Sequence, residues 1–139
     1  MSGSQVVEWD VIYAYTRQMA IADGVLVDLM QPEFVGLVRE AGIRLPVAMT
    51  AEAFHDYVEL TDKAQEAGCD IKGRLWDVLY MFCQEFLKRK NMKKDLREFL
   101  FKFMCVTDQI RPSLCTLKAV ICPGDDRELV ITLMHPWED

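Results

Sequence analysis

No stretch of this chain stays apolar for the ~20 residues that a membrane-crossing helix needs. Its opening, "MSGSQVVEWD", has neither the basic start nor the apolar centre of a secretory leader. Such a chain is expected to work in the cytoplasm, away from membranes. Histidine is scarce: His55 and His135 are the only two, and neither has a second ligand at metal spacing. GxSxG, P-loop, HExxH and strand-following GxGxxG patterns are all missing. Cysteine is present but unorganised. Cys69, Cys83, Cys105, Cys115 and Cys122 are odd in number and contain no CxxC pair, which argues against a disulfide framework or a zinc site. No metal or other cofactor is expected, and no catalytic residue stands out.

What is present is a globular composition. Hydrophobic residues make up 51% and charged residues 27%, too apolar for a disordered chain. The 139 residues suit one domain, 1–139, with one core. The net charge of −6 is unevenly spread. Residues 1–72 carry 5 basic and 12 acidic side chains, residues 73–104 carry 8 and 4, and residues 105–139 carry 3 and 6. The positive charge gathers in "KRKNMKKDLR", with Lys88, Arg89, Lys90, Lys93, Lys94 and Arg97. Part of that run suits a helix C-terminus, where cations complement the helix dipole. The rest is a candidate contact surface. Direct nucleic-acid binding is disfavoured, because the remaining chain would repel a polyanion.

Periodicity places the elements. Thr16 suits an N-cap, "RQMAIA" a short helix, and Asp23-Gly24 its stop. "VLVDL" then reads as a strand, and Arg17 as a structural residue pairing with Asp23 or Asp28. "PEFVGLVREAG" is a second helix with Pro32 in its first turn, followed by the extended "IRLPVAMT". Thr50 caps a third, "AEAFHDYVELTDKAQEAG", expected to run on through Thr61, with His55 on its surface. "GRLWDVLYMFCQEFLKRK" carries the broadest apolar stripe, with Leu75, Val78, Leu79, Phe82 and Phe86 in one row. After it the period falls to 2, and "FLFKFMCV", "LCTLKAVI" and "LVITLM" form an antiparallel meander whose last turn contains Pro-Gly-Asp-Asp. The fold class is α+β, with N-terminal helices packed on a C-terminal antiparallel meander. The tail "HPWED" is expected to be exposed.

"YTRQMAIADGVLVDL", "AGIRLPVAMT", "GRLWDVLYM" and "LKAVICPGDDRELVITLMHPWED" together resemble a family of uncharacterised small proteins carried by plasmids, phages and integrated elements. The likeness covers most of the chain and fades across residues 84–113. Such proteins are often found near genes that counter host defence. The resemblance therefore implies a binding inhibitor or modulator of a host defence system, of anti-CRISPR or anti-restriction type, acting by surface contact without catalysis. Its partner would be a host protein or ribonucleoprotein complex. The expected contact is the basic run Lys88, Arg89, Lys90, Lys93 and Lys94, or else the acidic surface of Glu52, Asp56 and Glu59. The alternative is a small metal-dependent hydrolase or nucleotide-binding accessory protein using Asp125, Asp126 and His135.

Overall fold

A computed structural model describes residues 15–139. The opening segment, expected to lack a leader, lies outside the described residues. The chain runs through α1 (Arg17–Ala22), β1 (Leu26–Asp28), α2 (Pro32–Glu40), β2 (Val47–Thr50), α3 (Ala51–Tyr57), α4 (Asp62–Glu66), α5 (Ile71–Asn91), β3 (Glu98–Cys105), β4 (Ser113–Pro123) and β5 (Leu129–Met134). The five strands form one sheet in the order β1-β2-β5-β4-β3. The α+β class and the antiparallel run β3-β4-β5 agree with the sequence reading.

The sheet also contains a pairing that the local pattern did not reveal. β2 lies parallel to β5, with Val47 opposite Ile131 and Met49 opposite Leu133, and β1 pairs antiparallel to β2. All four residues of β2 and five of the six in β5 are buried. Burial on both faces is what an unbroken apolar strand such as "LVITLM" needs.

α5 packs its stripe of Leu75, Val78, Leu79 and Phe82 on Phe99, Phe101 and Phe103 of β3. Phe82 stacks on Phe99 at 5.8 Å between centroids and meets Phe101 edge-on at 5.7 Å. Truncating Phe82 in so tight a cluster would cost about 3–5 kcal/mol. Asp70 starts this helix by accepting from the Gly73 N–H at 2.6 Å. Its end is a Schellman motif: Lys94 N–H donates to the Arg89 carbonyl and Lys93 N–H to that of Lys90. Lys93 sits there at φ 57°, a conformation that glycine adopts more readily.

Two expectations need correcting. The third predicted helix is two short ones, because Thr61 is not on a helix face: its hydroxyl caps α4 by accepting from the Ala64 N–H at 3.1 Å. Arg17 is structural, but its partners lie 114 and 115 residues away. Its guanidinium donates to Thr132 Oγ1 at 2.6 Å and to the Ile131 carbonyl at 2.7 Å. Asp23 instead accepts from the Tyr15 hydroxyl at 2.6 Å. The caps at Thr16 and Thr50 are formed as expected.

Candidate functional site

Two places gather unusual side chains, at opposite ends of the helical layer. The first forms where β5 ends. His135 is 2% exposed, with Nε2 2.8 Å from Asp56 Oδ2. An ionised carboxylate only accepts, so Nε2 carries the proton, and Nδ1 is left without a partner among the described residues. Trp137 stacks on the imidazole at 4.3 Å and Tyr57 meets it edge-on at 5.3 Å. Burial pushes the Tyr57 hydroxyl up to about 12 and the Cys105 thiol up to about 11.

The tail, expected to be exposed, is so only in part: Trp137 and Asp139 are exposed, whereas His135 is buried. Glu138 Oε1 accepts from the Thr50 hydroxyl and from the His135 backbone N–H, each at 2.8 Å. The Glu138 carbonyl accepts from Lys118 Nζ. Trp137 faces solvent, at 73% exposure. Nearby, Arg74 is buried, donating to the Val106 carbonyl at 2.8 Å and the Asp56 carbonyl at 3.3 Å. Sequence reasoning missed Arg74, although it lies four residues before Val78 and so on the buried stripe. Glu138 had no local signal at all. This end is a knot joining α3, β4, β5 and the tail.

The second place is an apolar cleft of about 340 Å³ between the turn after α2 and the C-terminal half of α5. Residues 41–45 form one wall, and Phe82, Cys83, Phe86 and Leu87 the other, with Ile131 among the lining residues. The Cys83 thiol donates to the Ala41 carbonyl at 3.3 Å, and its partial burial raises its pKa. Arg44 contributes to the cleft, and Leu87 is half exposed beside it. Lys90 follows Leu87 by three residues and Phe86 by four, which puts it on the same helix face.

The candidate residues divide between these places. Lys88, Arg89 and Lys90 form the last turn of α5, with Lys93 and Lys94 in the turn beyond it. Arg89 is committed internally: its guanidinium lies over the Phe99 ring at 5.2 Å, donates to the Asp95 carbonyl and reaches Glu85 at 3.8 Å. Lys88, Lys90, Lys93 and Lys94 join no ion pair among the described residues. On α3, Asp56 holds His135, and Glu59, just past the helix end, pairs with the exposed His55 of α3 at 3.0 Å. Glu52 stands in the first turn, where a carboxylate suits the helix dipole.

Asp125 and His135 do not come together. They lie beyond opposite ends of β5. Asp125 instead accepts from the Arg17 and Gln18 backbone N–H groups at 2.9 and 3.0 Å, closing the start of α1. Those two bonds, Gln18 first, hold its carboxyl below the usual range. No group of three metal-ligating side chains is found among the described residues, and no described helix is long and apolar enough to cross a membrane.

A family model described as "Family of unknown function (DUF6573)" matches residues 6–139, and the chain belongs to that family. No curated protein and no solved structure matches it.

Proposed function

We propose that this member of the family acts by binding a macromolecular partner at the cleft and the basic end of α5. In this reading it modulates a host defence system, of the anti-CRISPR or anti-restriction kind that plasmids and phages carry. The observation that supports it is the juxtaposition of an apolar cleft with Lys90 on the same face of α5, next to Lys93 and Lys94 just past the helix end, none of them spent on an internal ion pair among the described residues. Apolar lining supplies contact free energy, and uncommitted cations supply orientation and a faster encounter with an acidic surface. Arg89 is the exception within the run, since its loss would disturb Phe99 and the helix end. The partner envisaged is a host protein or ribonucleoprotein presenting an apolar side chain flanked by acidic groups.

The test is an interference assay in bacteria carrying a CRISPR or restriction system. Expression of the protein should raise the survival of a targeted phage or plasmid. The charge-reversed variant Lys88→Glu/Lys90→Glu/Lys94→Glu should lose that protection while still unfolding cooperatively, with stability lower by about 1–2 kcal/mol because glutamates at positions 88 and 90 would oppose the helix dipole. Leu87→Asp should do the same by closing the cleft to an apolar anchor. Full protection by both variants would place the contact elsewhere, and a wild type that protects against neither system would overturn the defence reading.

A further inference from the structure

β3 is an edge strand, and one hydrogen bond settles how its backbone faces. The Ile121 N–H donates to the Arg97 carbonyl at 2.8 Å. Backbone groups alternate sides along a strand. Phe99, Phe101, Phe103 and Cys105 therefore turn theirs to β4, while Glu98, Leu100, Lys102 and Met104 turn theirs outward. Among the described residues no strand pairs with that outer edge. The opposite edge, β1, is three residues long, whereas β3 is eight, without proline and in unbroken register with β4. Short edges resist strand addition; long regular ones invite it.

The same four residues show their side chains to solvent. Leu100 and Met104 are each 52% exposed, and Leu114 beside Met104 is 62% exposed. Glu98 and Lys102 are exposed and join no ion pair among the described residues.

We propose that β3 pairs antiparallel with β3 of a second copy of this chain, about a twofold axis through Leu100. In that register Glu98 of each copy faces Lys102 of the other, and the two Leu100 side chains meet. The three outward-facing pairs exchange about six backbone hydrogen bonds. Other registers that keep the apolar face aligned lack this match. An axis at Lys102 sets lysine against lysine. An axis at Phe99 or Phe101 sets each charge against an apolar side chain. Lysine on an edge ordinarily discourages pairing, and here it does so in every register but the one that brings it a glutamate. The product is a continuous ten-stranded sheet with α5 of both copies on the same face.

Sedimentation equilibrium on the full chain, across a concentration series, tests this. The wild type should show a reversible monomer–dimer equilibrium. Glu98→Lys and Lys102→Glu should each weaken it about tenfold or more, since two favourable cross-strand pairs become like-charge pairs. The exchanged double variant Glu98→Lys/Lys102→Glu should return to near wild-type affinity, with circular dichroism confirming that all four proteins fold alike. A wild type that stays monomeric at its highest soluble concentration would overturn the proposal. So would a dimer indifferent to the single changes, or one that the exchange fails to rescue.

Discussion

At one end of the helical layer, Arg74, His135 and Glu138 tie four parts of the chain together through polar groups, His135 under aromatic cover. At the other, Phe82, Phe86 and the turn after α2 enclose an apolar cleft, and the lysines outside it have no internal task. Buried polar atoms are costly unless bonded, and most of those in the knot are bonded within the fold, His135 Nδ1 and Arg74 Nε being the two without a partner among the described residues. The cleft and its rim carry no such obligation. This is why Asp56, although acidic and on a surface helix, reads as a structural residue, whereas Lys90 and Leu87 read as available ones.

The contrast can be broken most forcefully at His135. His135→Ala should destabilise the protein by about 2–4 kcal/mol, combining a cavity with the loss of the Asp56 contact. The Trp137 stacking would go with it, so its fluorescence should shift toward that of free tryptophan as the tail detaches. A variant within 0.5 kcal/mol of wild type in urea melts (about the size of an ordinary surface effect) would mean that the tail is held by Glu138 alone.

A smaller effect of opposite sign belongs to the cleft end. Lys93→Gly should stabilise by about 0.5–1 kcal/mol, because glycine takes the positive φ at the end of α5 without strain. Yet it removes one rim charge, so protection in the interference assay should weaken slightly while the melting temperature rises. Opposite movements of the two readouts would mark Lys93 as retained for contact instead of for folding.

The smallest effect at neutral pH is expected for Tyr57→Phe, which separates the two ends by alkali. The folded-state pKa of Tyr57 is raised to about 12 from 10.0, chiefly by burial. A raised folded value means the contribution is complete below pH 10, the unfolded value, and is lost as pH climbs through about 12. Wild-type stability should therefore fall across that window, and the phenylalanine variant should fall less steeply. Identical alkaline profiles would show that Cys105, also raised by burial, dominates the response.

Local signals in the sequence reached far into the fold and hardly into the sites. Thr16, Thr50 and the stripe from Leu75 to Phe86 act within a turn or two of their own position, so caps, helices and the period-2 strands β3, β4 and β5 were legible from residue order. Thr61 was misjudged because a threonine on an amphipathic stripe and a threonine capping a new helix look alike until the backbone turns. The basic run was visible as composition. That Arg89 is spent on Phe99 and Asp95, and its lysine neighbours are not, depends on where β3 lies.

The chain by itself determined its helices apart from the break before Thr61, its last three strands and its uneven charge, because propensity, capping and periodicity are short-range effects. Tertiary structure alone decided that β2 runs parallel to β5, that Arg17 reaches Thr132, that Asp56 meets His135 across 79 residues, and that the turn after α2 faces α5 across a cleft. Each of these joins segments distant in sequence. Such contacts form only where the whole core brings the segments together, and no local pattern encodes the distance between them.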